Sequence, residues 1–331
     1  NELSKNYQVT IVSLKPKDSS IKLRESNNLK FIELGKFSWF MKFIYYKKLV
    51  TDNYNTNSNV SISFCFSADI LNSLCTKHVK TFSSIRANLY ENYKHTYGIF
   101  GFFLAKINFI CLKRIKNIFS MTQSMADQIR NETGIESHIV GNFLDEKEME
   151  SYRRLNINKG AYKFVFTGSL SSRKKVEVLI DAIDELNKAG YDVKCDILGD
   201  GPLKSKIQNK IQDLNLSNII NMHGNIPEPL SLVSNADVFV LPSLSEGLSR
   251  SSMEALYLGI PCILRDIDGN SELIEEDING NLFKDEITVS KLMLNCAKKS
   301  RKKSLFKNIL LKDNHRQSIG SAKIEHFLNL N

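Results

Sequence analysis

An α/β fold in two domains is what this sequence predicts, on three observations. Short apolar runs of strand length alternate with helix-like stretches, the pattern of parallel strands covered by helices on both faces. At 331 residues the chain is long enough for two domains of ordinary size. The alternation is interrupted near residues 143–160 by the polar stretch EKEMESYRRLNINKGA, which has no strand pattern. The expected organisation is a first domain over 1–150, a second over 151–312, and a last helix over 313–331.

The elements follow in order. NELSKN (1–6) reads as the end of a helix that enters the strand YQVTIVSL (7–14). NLKFIEL (28–34) and VSISFCF (60–66) are further strands, and INFICLKRIKN (107–117) is a helix running into the strand IFSMT (118–122). The second half is cleaner. The strand KFVFTG (163–168) is followed by a helix over 174–189 ended by Gly190, then by the strand VKCDILG (193–199). A helix over 202–214, the strand NIINMHG (218–224) and a short helix near 228–235 lead to the strand DVFVLPS (237–243). Next comes a helix whose Met253, Leu256 and Tyr257 recur at i, i+3, i+4, with Ser249 as N-cap, Gly259 at C′ and Pro261 as a stop. The strand PCILRD (261–266) and the helix NHRQSIGSAKIEHFLNL (314–330) complete the series.

Composition excludes several classes. Hydrophobic residues make up 42% and charged residues 24%, as in a globular chain. The six cysteines are scattered without a CxxC pair, which predicts buried free thiols in a reducing compartment. The histidines show no HxH or HxxxH spacing, which argues against zinc. No signal-peptide pattern is visible, and no apolar run reaches the ~18 residues of a spanning helix. The nearest, YGIFGFFLAKINFICL (97–112), is broken by Lys106 and Asn108. The expected location is the cytoplasm.

Charge is uneven. Residues 1–120 hold 18 Lys+Arg against 7 Asp+Glu, while the whole chain has a net charge of +9. Within that region KFSWFMKFIYYKK (36–48) sets Trp39, Phe40, Phe43, Tyr45 and Tyr46 among Lys36, Lys42, Lys47 and Lys48. Such a mixture suits an anionic membrane surface, on which the chain would rest peripherally; it equally describes lysines solvating an ordinary core. No nucleic-acid motif accompanies it.

The most informative stretch is LPSLSEGLSRSSMEALYLGIP (241–261). A strand, a Ser/Gly turn and a helix follow one another, with Glu246 in the turn and Glu254 inside the helix. A helix N-terminus has unpartnered N–H groups and the positive end of the macrodipole, so it attracts anions. A carboxylate on either side adds acceptors for hydroxyl groups. Phosphate with several hydroxyls is the chemistry of a nucleotide sugar.

These residues resemble the E-x7-E motif of glycosyltransferase family 4, retaining enzymes with two Rossmann-like domains (the GT-B fold). YKFVFTGSLSSRKKVEVLIDAI (162–183), DILGDGPL (196–203), ADVFVLPS (236–243), GNSELI (269–274) and NGNLF (279–283) are similar to its other landmarks in the same order. In the first half the likeness rests on SISFCFSADIL (61–71), SSIRANLY (83–90) and GNFLD (141–145). Members of the family have a first strand and a Gly-rich loop ahead of the helix that NELSKN would end. Neither is present in the residues given, so the resemblance implies an incomplete first domain with an exposed sheet edge.

The resemblance implies roles for particular residues. Glu254 would hold the ribose hydroxyls and Glu246 the transferred sugar with its developing positive charge. Lys174 would meet the diphosphate, with Lys175 as a substitute if the turn differs by one residue. Gly168 would let the backbone approach the ligand. Ser169 stands where many members carry a phosphate-binding Arg, and Arg250 could supply that charge. Gly247, Leu248 and Ser249 would line the turn against the donor, and Arg86 would lie near the reacting sugar. The fold needs no metal, and Asp266 and Asp268 read as part of a turn rather than as ligands. GDG (199–201) reads as a turn too. The expected activity is retaining transfer of a hexosyl or N-acetylhexosaminyl group from a nucleotide diphosphate-sugar, UDP-sugar above others, to a glycan or lipid-linked saccharide acceptor in bacterial surface polysaccharide synthesis. The donor would lie between the domains, against the strand ends of the second. A nucleotide-sugar 2-epimerase and a non-catalytic sugar-nucleotide-binding module are the alternatives.

Overall fold

The computed structural model describes residues 3–16, 27–52, 59–153, 160–298 and 309–329. Residues 1–2 of the expected first helix and residues 154–159 of the expected interdomain stretch lie outside them. The chain divides into two compact units, residues 1–140 with 318–331 and residues 141–317. The division lies upstream of residue 150.

The first unit contains α1 (Leu3–Asn6), β1 (Val9–Ser13), β2 (Leu29–Glu33), α2 (Trp39–Asp52), β3 (Val60–Ser63), α3 (Phe66–Leu74), β4 (Lys80–Ile85), α4 (Leu89–Tyr97), α5 (Gly101–Ile115), β5 (Asn117–Ser120), α6 (Gln123–Thr133) and β6 (His138–Ile139). Among the described residues the strands form two parallel sheets, β1-β2 and β3-β4-β5-β6. β1 and β3 therefore each pair along one edge only. Local chemistry sets the helix ends. Thr122 caps α6 by accepting the Met125 N–H at 3.2 Å, and Gly134, at φ +75°, closes it in the left-handed conformation.

The second unit contains α7 (Glu146–Glu150), β7 (Tyr162–Thr167), α8 (Val176–Lys188), β8 (Val193–Leu198), α9 (Lys204–Asp213), β9 (Ile220–Gly224), α10 (Pro229–Val233), β10 (Val238–Leu241), α11 (Arg250–Tyr257), β11 (Cys262–Arg265), α12 (Asp268–Leu273), β12 (Gly280–Phe283) and α13 (Glu286–Lys298). Its sheet is parallel throughout, in the order β12-β11-β10-β7-β8-β9. The central strand β10 is wholly buried, which explains why VFVL is apolar at every position rather than alternating. The last helix, α14 (Gln317–Asn329), packs on the first unit: Ile324, Phe327 and Leu328 lie against Phe82, Phe119 and Val140.

Two sequence expectations change here. The segment 36–48 forms most of α2, and its aromatics divide. Trp39, Phe40 and Tyr45 are exposed and Phe43 is half-buried, but Tyr46 is a core residue packed with Val50, Leu71 and Cys75. Its hydroxyl meets Ser61 Oγ at 2.6 Å and donates to Asn72 Oδ1 at 2.8 Å. Lys42 Nζ donates to the Leu14 carbonyl. All six cysteines are free, and four are buried, but Cys65 is exposed because it sits at the cap position of α3.

The first unit also buries a carboxylate. Asp69, 1% exposed, accepts the hydroxyls of Ser63 and Ser83 on Oδ1, each at 2.6 Å. Burial pushes its pKa up to about 6, against the opposing effect of hydrogen bonds from Ser63, Ser83 and Asn108. The folded chain therefore holds a proton there between about pH 4 and 6 that the unfolded chain releases, so the stability is present in acid and lost as pH rises through 6. Trp39, the single tryptophan, lies in this unit and reports its unfolding. Between pH 4 and 7 the wild type should lose on the order of 2–3 kcal/mol more stability in urea than Asp69→Asn. Equal losses in the two proteins would remove Asp69 as the source.

Candidate functional site

The site of the second unit follows from its strand order. β7 is flanked by β8 on one side and by β10 on the other, so the chain leaves the C-terminal end of β7 in one direction and that of β10 in the other. A crevice forms where such connections diverge, and ligands of open parallel sheets occupy it. The loop after β7 carries Gly168–Lys175, and the loop after β10 carries Pro242–Ser249.

These two loops are tied together by backbone and by charge. The Leu244 N–H donates to the Arg173 carbonyl at 2.8 Å, and Arg173 Nη1 donates to the Ser245 carbonyl. Lys174 Nζ donates to Glu246 Oε1 at 2.6 Å, and Arg173 Nη1 approaches the same oxygen at 3.2 Å. The Lys174 and Glu246 side chains are each about one-tenth exposed. Two cations against one carboxylate leave a positive excess, of which Arg173 is the more exposed part at 38%. Lys175 turns away: at φ +49° its side chain points to Glu286, 4.0 Å distant.

The motif helix has its predicted cap. Ser249 Oγ accepts the Ser252 N–H at 3.3 Å, and Gly259 at φ +79° ends the helix. Glu254 lies inside α11, and Arg250, one turn earlier, donates to it from Nε at 2.9 Å. Burial raises the Glu254 pKa, while the Arg250 hydrogen bond opposes the rise. Arg250 is thus engaged with Glu254, and the cation that joins Lys174 is Arg173. The sequence reading missed Arg173. Its only signal was a run of three basic residues, whose register in a turn cannot be read without the fold.

Close backbone approaches fix the floor of the crevice. A Cβ on Gly269 would lie 1.6 Å from the Gly247 carbonyl oxygen, and one on Gly199 would lie 1.9 Å from that of Gly168. Only glycine allows these loops to touch. Leu248 is buried, and its carbonyl accepts from Asn142 Nδ2 at 2.8 Å, so the GNFLD segment braces the motif turn. Asp145 of that segment caps α7, accepting the Lys147 N–H at 3.1 Å. A cleft of about 350 Å³ opens at the ends of β7, β8 and β9, lined among others by Gly168, Ser169, Gly199, Asp200, Asn225 and Pro229. Thr167 Oγ1 at the end of β7, Ser243 Oγ just past β10 and Asn270 Oδ1 in α12 are buried without a hydrogen-bond partner among the described residues. Unsatisfied buried polar atoms are few in folded proteins, and these three follow the C-terminal halves of β7, β10 and β11.

Arg86 lies in the other unit, exposed just past β4. Asp266 is 3.7 Å from Lys284 Nζ. Among the described residues no group of three or more His, Cys, Asp or Glu side chains could hold a metal ion.

Comparison with known proteins places this arrangement. The family profile of glycosyl transferases, group 1, matches residues 147–304, almost all of the second unit. Solved structures share this fold. TarM of S. aureus, a point mutant solved with fondaparinux, alpha-GlcNAc-glycerol and UDP, superposes with a TM-score of 0.69 at 21% identity, over 88% of this chain and 59% of TarM. HepE of Anabaena, solved with UDP, gives 0.72 at 14% identity, over 91% of this chain and 85% of HepE. The fold is GT-B. Among curated proteins, an uncharacterized glycosyltransferase of Methanocaldococcus jannaschii is 34% identical over 137 residues, 41% of this chain and 34% of that protein. The putative colanic acid biosynthesis glycosyltransferase WcaL of Escherichia coli K12 is 31% identical over 126 residues, 36% of this chain and 31% of its own length. A UDP-Gal:alpha-D-GlcNAc-diphosphoundecaprenol alpha-1,3-galactosyltransferase of E. coli is 30% identical over 132 residues, 39% of this chain and 34% of its own. The match thus spans about a third of the length of these curated relatives.

The close approach of Gly269 to Gly247 can be tested directly. Gly269→Ala forces the motif turn to move, since the atom met is backbone. It should lower the stability of the second unit by on the order of 2 kcal/mol in thermal unfolding. An unchanged melting curve would show that the two loops separate freely.

Proposed function

We propose that the chain is a retaining glycosyltransferase that moves a hexosyl or N-acetylhexosaminyl group from a nucleotide diphosphate-sugar to a hydroxyl acceptor, in the assembly of bacterial surface polysaccharide. The observation that carries this reading is the convergence of Lys174 and Arg173 on Glu246 in the switch-point crevice of the second unit. UDP is the favoured nucleotide, because the solved neighbours TarM and HepE hold UDP. The relatives named above are transferases, which favours transfer over 2-epimerisation. A glycan or lipid-linked saccharide is the acceptor class that the E. coli galactosyltransferase, named for a diphosphoundecaprenol-linked sugar, supports.

In this reading the second unit binds the donor and the first receives the acceptor. Glu254, held by Arg250, accepts hydroxyl protons of the ribose. Lys174, Arg173 and the N-terminal N–H groups of α11 face the diphosphate. When the bond from the anomeric carbon to the phosphate oxygen breaks, these groups stabilise the charge that the leaving group gains. The acceptor oxygen bonds to the anomeric carbon on the face that the diphosphate leaves, and its proton passes to the departing phosphate oxygen. Glu246 stabilises the positive charge developing on the sugar, and Arg86 is the residue of the first unit that the family resemblance assigns to the reaction. Two fixed cations and a helix N-terminus do the work that a divalent metal would otherwise perform, so no metal is required.

Titration calorimetry and transfer assays test this reading. Lys174→Ala and Arg173→Ala should each weaken UDP binding by about tenfold or more, the effect of losing one charge-assisted contact. Binding should persist in a chelator. Glu246→Gln and Glu254→Gln should each lower transfer by about a hundredfold or more without unfolding the protein. Wild-type rates in both glutamine variants, or a strict metal requirement abolished by Asp266→Ala, would sink the proposal.

A further inference from the structure

The helix α5 is apolar on both of its faces. Its inner face packs Ala105, Phe109 and Leu112 into the core with Ile85, Leu89, Tyr93 and Ile118, and Ile115 is buried as well. Helices that are hydrophobic all round are ordinarily buried all round. Here the outer face is in solvent. Phe103 is 62% exposed, Ile107 45% and Ile110 60%, at i, i+4 and i+7, in line with one another. The turn that leads in from α4 adds Ile99 at 88% and Phe100 at 75%. A contiguous apolar patch of this kind on a folded chain marks an interface.

Charge identifies the partner. Residues 92–117 contain Lys94, Lys106, Lys113, Arg114 and Lys116 and no Asp or Glu. All five cations are exposed, and Lys113 and Arg114 continue the outer side of α5 at its C-terminal end. The acidic groups that face this segment have local partners. Glu132 of α6 binds Lys106 at 2.7 Å and the Tyr90 hydroxyl at 2.6 Å, and Glu91 lies 3.9 Å from His95. A helix with large apolar side chains on one stripe and cations beside it has the composition of one that lies in a membrane interface. No described helix is long and apolar enough to cross a bilayer, so the contact is with its surface.

We propose that the α4–α5 hairpin of the first unit docks on an anionic phospholipid bilayer, with Phe100, Phe103, Ile107 and Ile110 at the acyl boundary and Lys113, Arg114 and Lys116 among the headgroups. This surface is distinct from α2, where Tyr46 belongs to the core. The proposal stands apart from the transferase reading, because a sugar-nucleotide-binding chain of any activity could carry it.

Co-sedimentation of the full chain with vesicles tests it. Binding should occur to phosphatidylcholine mixed with phosphatidylglycerol, not to phosphatidylcholine alone, and should weaken as salt rises. The double variants Phe100→Ser with Phe103→Ser, and Lys113→Glu with Arg114→Glu, should each lower partitioning by about tenfold or more. All four side chains are exposed, so thermal unfolding and UDP binding should match the wild type, which separates failure here from failure of the donor site. Lys42→Glu with Lys47→Glu and Lys48→Glu, on α2, should bind vesicles as the wild type does. Equal partitioning of wild type and both α5 variants would overturn the proposal. So would loss confined to the α2 variant, or a concentration-dependent dimer that the Phe100→Ser with Phe103→Ser variant dissociates.

Discussion

One carboxylate oxygen holds the site of the second unit together. Glu246 Oε1 accepts from both Lys174 and Arg173, and so joins the loop after β7 to the loop after β10 across the point where the sheet changes direction. Buried charges are costly unless paired, and a partner removed from such a cluster leaves the others uncompensated. The cluster therefore does two things. It holds the loops at a fixed separation, and it keeps a positive excess in place before any ligand arrives. Prior organisation of this kind matters because a charge that is already oriented costs no rearrangement when a phosphate gains negative charge.

Around this cluster the backbone is drawn in more tightly than side chains allow. Gly199 lies against Gly168, and Gly269 against Gly247, each at a distance that excludes a Cβ. The Asn142 amide then fixes the Leu248 carbonyl from the segment that opens the second unit. The result is a turn whose position is set from three sides before α11 begins. Ser249 can cap that helix, and its first N–H groups face a defined place, only because the turn has so little freedom.

The first unit is organised on different terms. Its core holds an unusual share of polar groups: Asp69, Asn72, Ser63 and Ser83 are buried and bonded to one another, so packing depends on a hydrogen-bond network as well as on apolar contact. At the same time α5 leaves large apolar side chains in solvent. The first unit thus combines a buried polar cluster within an apolar core with an apolar helix face left in solvent.

Much of this was present in the sequence. Continuous apolar runs such as VFVL, short and alternating with helical stretches, read as buried parallel strands, and Ser249, Gly259 and Pro261 delimited the motif helix by local chemistry that needs no tertiary partner. The family resemblance assigned Lys174 and Glu246 to one site, but their pairing across 72 residues came only with the fold. Arg173 could not be found at all, because which of three consecutive cations faces inward depends on the left-handed backbone at Lys175 and on the loop after β10. Nor could the sequence distinguish Tyr46 from its exposed neighbours in α2, or the inner from the outer face of α5, where both faces are apolar. Periodicity reports which residues share a face. Which face meets the core, and which loops a sheet brings together, is settled by packing between segments far apart in the chain.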